Sequence, residues 1–139
     1  MFCVDDRLLK NTMFAYDLPL CRVLIQDDVR FPWFILVPKV NNVTELFELT
    51  KNDQNKIILE ITHISHYLKE ELQIHKVNVG ALGNIVPQLH IHVIGRMQND
   101  AAWPGPVWGV GTAIHHTKGE IQLKVQRLND WLKKNSLVS

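Results

Sequence analysis

Pro87-Gln88-Leu89-His90-Ile91-His92-Val93-Ile94-Gly95-Arg96 alternates in polarity. Gln88, His90 and His92 are polar, while Leu89, Ile91, Val93 and Ile94 are apolar. Successive side chains of a β-strand point to opposite faces. The pattern predicts a strand from about Gln88 to Gly95, with Gln88, His90 and His92 on one face and Leu89, Ile91 and Val93 on the other. Histidine suits proton transfer, nucleophilic attack or metal ligation, because its ordinary pKa lies nearest working pH. Spacing alone leaves three readings open: solvated imidazoles on a surface strand, part of a zinc site, or a nucleophilic histidine with a partner. Zinc needs further ligands, and His63, His66, His75, His115 and His116 stand at no recognisable spacing from the pair.

Moving outward, Val77 to Val79 reads as a strand. Gly80-Ala-Leu-Gly83-Asn84 reads as a turn whose two glycines are free to take positive φ. Upstream, residues 22–26 and 33–37 read as strands joined by a turn at Asp27-Asp28, and so as a hairpin ended by Pro38. A short helical turn is expected around Thr44 to Leu49. Thr50 and Asp53 then open the clearest helix, with Ile57, Ile58, Ile61, Ile64, Leu68 and Leu72 as its apolar stripe and an end near Gln73. A short helix is expected in the first dozen residues, where Asp5-Asp6 precedes Leu8 and Leu9. Pro104 and Pro106 exclude a central strand or helix from the irregular stretch 97–112. Thr117 and Glu120 form a capping box for a last helix over 118–135, striped by Ile121, Val125, Leu128 and Leu132. Helices against a mainly antiparallel sheet make the fold class α+β.

The chain of 139 residues suits one domain, 1–139, with a sizeable core. Its formal net charge of +1 gives no global electrostatic case for nucleic acid or a membrane surface as partner. Cys3 and Cys21 form neither a disulfide framework nor a zinc signature, which fits reduced thiols in a cytoplasmic protein. The opening residues carry acidic groups where a signal peptide would be apolar. The longest apolar run, residues 31–38, is too short to span a bilayer and holds two prolines. Asn42-Val43-Thr44 fits a glycosylation sequon by chance.

Asn78-Val79-Gly80, Gly83-Asn84 and the Gln88–Ile94 run resemble the signature of the histidine-triad (HIT) family. That signature is Asn-x-Gly, a Gly-Gln or Gly-Asn turn, then three histidines alternating with apolar residues. The hairpin and the long helix also sit where the family places them, so the resemblance covers roughly residues 15–96, and 97–139 is a less typical C-terminal extension. The resemblance implies an antiparallel sheet of about five strands, one long helix and a C-terminal helix. It implies that His90 is the nucleophile toward the α-phosphorus of a nucleotide, giving a nucleotidyl-histidine that water hydrolyses. It implies that His92 contacts the phosphate and assists the leaving group, and that Asn78, Gly83 and Asn84 face the phosphates. It further implies a homodimer whose two sheets join. No cofactor held by the protein is implied; a divalent ion can accompany a polyphosphate substrate.

The chain departs from the family pattern in several places. Gln88 stands in the first histidine position, and glutamine cannot relay a proton. Many relatives continue that relay from a histidine on the second strand, where this chain has Trp33. Ile85 replaces a phosphate-contacting serine, and the Asp27-Asp28 turn, in a region that shapes the nucleoside pocket, is shorter than usual.

Other residues divide between chemical and plain readings. Arg96 is read as a solvated strand end ahead of a phosphate contact, and Lys39 as surface. Trp103 is read as cover for the sheet. Trp108 stands equally as cover or as a substrate-binding aromatic. His115-His116 is read as surface, His63 and His66 as solvated, and Asp5-Asp6 as a helix cap. The expected function is hydrolysis of a phosphoanhydride or phosphoramidate bond in a nucleotide, with diadenosine polyphosphates as the first substrate class by analogy. The alternatives are a nucleotide-binding regulator with little turnover and, with least support, a zinc-binding module.

Overall fold

The computed structural model describes residues 1–137. The histidine strand, β5 (Ile91–Arg96), starts at Ile91 rather than Gln88. Its neighbour toward the sheet centre, β3 (Trp33–Pro38), pairs with it only as far as Leu36 opposite Ile91. Its other neighbour, β4 (Lys76–Gly80), stops at Gly80 opposite His92. Gln88 and His90 therefore lie on an irregular lead-in to the strand. That lead-in is tied down by Leu89 N–H donating to the Val43 carbonyl at 2.9 Å.

The sheet is antiparallel throughout, in the order β1-β2-β3-β5-β4. The hairpin of β2 (Cys21–Gln26) and β3 forms as the sequence predicts. The edge strand β1 (Thr12–Asp17) escaped the sequence reading. Its register shifts between Phe14 and Tyr16, and Ala15 is its one buried residue, so no period-2 signal survives. The short helix α1 (Asp6–Leu9) is capped by Asp5, whose carboxylate accepts from Arg7 N–H.

Helix α2 (Lys51–His66) begins at Thr50, whose hydroxyl accepts from Asp53 N–H. Ile57, Ile61 and Ile64 are buried as the stripe requires, whereas Ile58 is exposed. The regular helix stops at His66 and widens into a π-turn over Tyr67–Glu71, short of the expected end near Gln73. The wider turn re-phases the stripe so that adjacent Tyr67 and Leu68 are both buried. Helix α3 (Lys118–Lys134) carries the predicted Thr117–Glu120 capping box.

Directly paired residues share a face of a sheet, and here the two faces carry different cores. One buries Val23, Phe34, Leu36, Ile91 and Val93 beneath α2 and α3. The other gathers Leu24, Trp33, Ile35, Val37 and Ile94 with Val4 and Leu8 of the N-terminal segment and with Val107. His90 and His92 lie on this second face. No helix among the described residues is long and apolar enough to cross a membrane.

Candidate active site

Two hydrogen bonds fix the protons of the histidine pair. His90 is 6% exposed, and its Nδ1 lies 2.7 Å from the Gln88 carbonyl oxygen. A carbonyl only accepts, so Nδ1 carries the proton and Nε2 keeps a free lone pair. The peptide unit that supplies this carbonyl is the one whose N–H donates to the Val43 carbonyl, so the Val43 main chain holds its other end.

His92 is 7% exposed and has the opposite tautomer. The Trp33 indole N–H donates to His92 Nδ1 at 2.9 Å. Indole has no acceptor to offer, so Nδ1 is bare and the proton of the neutral ring sits on Nε2. Three rings surround this imidazole: Trp33 at 5.7 Å, Trp108 at 5.2 Å and His90 at 5.0 Å between centroids. Burial among them, with a lesser contribution from His90, pushes the His92 pKa down to about 4. The pair thus presents a bare Nε2 beside a neutral Nε2–H donor.

His90 opens on a cleft of about 540 Å³. One wall is Thr44–Phe47, the other Ala81–Gly83, and Pro87–His90 forms the floor. Gly83 takes φ +68°, the left-handed conformation glycine tolerates, and so turns the chain at the cleft. Gly80 was expected to share that freedom but ends β4. Its missing side chain serves packing instead, since a Cβ there would meet the Trp108 ring at 3.0 Å. The Thr44–Phe47 wall was not foreseen as part of a site. Its Phe47 is 79% exposed, a property that composition cannot reveal. A second cleft of about 440 Å³ adjoins the first across Thr44, Pro87 and Gln88 and is lined by Asp5 and Arg7.

The other expected site residues lie around this centre. The Gln88 side chain makes no hydrogen bond to either imidazole. Its amide is engaged at both ends by the N-terminal segment, accepting from Asp5 N–H at 2.7 Å and donating to the Cys3 carbonyl at 2.9 Å. Asn78 pairs with Ile94, further along the same face, and its Oδ1 accepts from Arg96 at 2.9 Å. Asn84 is exposed beside Gly83. Trp108 packs on His92 rather than lining the cleft, with its indole Nε1 buried and without a partner among the described residues.

Several plain readings need correction. Arg96 is neither solvated nor poised for phosphate. It is 1% exposed, paired twice with Asp100 at 2.8 and 3.0 Å, and set between the rings of Phe31 and Trp103. His63 is half-buried against Trp131, and burial lowers its pKa, whereas His66 is solvated as expected. His116 is half-buried rather than surface, its side chain covered, with Nδ1 on Asp27 and Nε2 2.7 Å from Lys124 Nζ. Lys39 is half-buried and donates to the Leu18 carbonyl. No group of three or more His, Cys, Asp or Glu among the described residues is placed to hold a metal ion.

Comparison with known proteins identifies the family and the fold. Residues 9–99 match the HIT domain. A histidine triad protein from Marinobacter aquaeolei superposes with a TM-score of 0.93 at 38% identity, covering 99% of both chains. Histidine triad proteins from Bradyrhizobium japonicum and Sinorhizobium meliloti each give 0.90, at 40% and 41% identity, covering 93% of this chain and 96% of theirs. Among curated proteins no sequence matches. With the matched domain spanning all five strands and the lead-in that carries His90, this chain belongs to the histidine triad (HIT) domain family.

Proposed function

We propose that this protein is a nucleotide hydrolase that forms a nucleotidyl-histidine on His90 and acts on phosphoanhydride-type substrates such as diadenosine polyphosphates. The observation that carries the reading is the pair of opposed tautomers. His90 Nε2 has the lone pair a nucleophile needs, with its other nitrogen held by a carbonyl that stabilises the cationic ring as the N–P bond forms. The bond from the α-phosphorus to the leaving oxygen breaks, and the leaving group takes that electron pair. Water then attacks phosphorus, the N–P electrons return to His90, and the water's proton passes to solvent. His92 Nε2–H donates a hydrogen bond to the charge that develops on phosphate oxygens, and the Gly83 turn and Asn78 offer further neutral donors. Exposed Phe47 and Leu46 give the first cleft an apolar surface for a base, and the adjoining second cleft leaves room for the departing nucleotide.

The test is quenched intact-mass spectrometry after mixing with diadenosine tetraphosphate, wild type beside His90→Ala. An adenylyl adduct on wild type, with adduct and product both lost in the variant, is expected. The second reading, a nucleotide-binding regulator, draws on Gln88 and on the Trp33 cap over His92. Nucleotide affinity that survives His90→Ala, with no turnover in wild type, would establish it and end the hydrolase reading.

A further inference from the structure

His92 has a proton on Nε2 but no means of replacing it. A neutral imidazole acts as a general acid only if it is first charged, or if a proton donor behind it protonates Nδ1 as Nε2 gives its proton up. Here Nδ1 faces the indole N–H of Trp33 at 2.9 Å. Indole is a donor with no acceptor and no accessible titration, so it cannot serve as a relay. A proton placed on Nδ1 would also meet the indole hydrogen head-on. His90, the titratable ring 5.0 Å away between centroids, makes no hydrogen bond to His92, and its own Nδ1 is given to the Gln88 carbonyl. His92 has no second hydrogen-bond partner among the described residues, and its neighbours across the sheet, Ile35 and Gly80, carry no titratable side chain. The Trp108 ring packs on another side of the imidazole, 5.2 Å away between centroids. Losing Nε2–H outright would leave an imidazolate in an apolar box, which is far too costly.

We propose, resting on the hydrolase reading above, that Trp33 restricts His92 to hydrogen-bond donation and thereby makes the protein selective for leaving groups that depart as anions. Phosphates of a nucleoside polyphosphate qualify, because their electron pair is accommodated as charge without a proton. An amine leaving from a phosphoramidate does not, because nitrogen must gain a proton as the P–N bond breaks. Trp33 is then a positioning residue acting through His92, and the substrate class narrows to phosphoanhydrides.

The test compares kcat/KM for diadenosine tetraphosphate and adenosine 5′-phosphoramidate in wild type, Trp33→His and Trp33→Phe. General acid catalysis contributes about 10²–10⁴-fold where it operates. The wild type is therefore expected to favour the anhydride by about 100-fold or more. Trp33→His offers Nδ1 a partner that can carry a proton and is expected to narrow that ratio, chiefly through kcat on the phosphoramidate. Trp33→Phe, with no proton to pass, is expected to leave it wide. Trp33 is buried, so the wild type is also probed directly. Nitrogen-15 NMR is expected to show His92 as the Nε2–H tautomer with Nδ1 hydrogen-bonded. Comparable turnover of both substrates by wild type, through an adduct on His90, would overturn the leaving-group proposal and leave the hydrolase reading standing. An Nδ1–H tautomer at His92 would do the same. Failure of wild type to turn over either substrate would sink the hydrolase reading, and this proposal with it.

Discussion

At the scale of single residues, the chemistry of this site is set by which nitrogen holds a proton. The same fact has a stability consequence. Free histidine titrates at 6.5, whereas His92 in the folded chain titrates at about 4. Between those values the unfolded chain binds a proton that the folded chain refuses, so stability falls as pH falls through that window. Each pH unit is worth on the order of 1.4 kcal/mol for one such group. Thermal midpoints should drop across that range in wild type and drop less in His92→Phe. A flat wild-type profile there would refute the assignment. Asp100, held at about 2 by Arg96, contributes its own loss only below its ordinary 3.8. Arg96 is the other residue with large leverage. Truncating it to alanine takes the guanidinium from the buried Asp100 carboxylate and leaves it the N–H donors of Met97, Ala102 and Trp103, which should cost about 3–5 kcal/mol in urea unfolding. It should also free the Asn78 amide. Sequence reading put His90 and His92 on one face, where their rings lie 5.0 Å apart, but misjudged Arg96, since a charged residue ending a strand looks solvated until its partner Asp100 folds back onto it.

Among the elements, the N-terminal segment has the least visible sequence signal for the position it holds. Gln88 grips it at Cys3 and Asp5, and Arg7 donates to the Ile85 carbonyl at 3.0 Å, so it straps both flanks of the loop that leads to His90. Gln88→Met keeps the stem and removes both amide bonds. It is expected to destabilise by about 1–3 kcal/mol and to speed hydrogen exchange at the Asp5 amide. Unchanged exchange there would show the strap to be held by Val4 and Leu8 alone. The helices were legible because a 3.6-residue stripe and a Thr cap are local signals. The edge strand β1 was not, because its register shift erases the alternation. Nor was the π-turn, because one wider turn alters the period only where Tyr67 follows His66. The strap could not be read at all: its bonds join residues 78, 83 and 85 positions apart.

For the whole molecule, the sheet order leaves β4 as a free edge, with Val79 52% exposed. Open edges of this kind template pairing with another chain, and we expect a second copy to occupy it. Light scattering after size exclusion should give a dimer mass for wild type and a smaller mass for Val79→Asp. A monomeric wild type would leave that edge for something else. The two unequal cores have a further consequence. One face of the sheet is held by two long helices, while the other is covered by a strap, a loop and a few large rings. Such a division allows the thinner side to loosen while the helical side remains native. The amides of α2 and β3 would then report the global unfolding free energy, while those of the Cys3–Leu8 segment would exchange through a smaller, separate opening. Exchange-detected mass spectrometry would see a protein with two melting hierarchies, in which the histidine rings can be uncovered without the molecule ever coming apart.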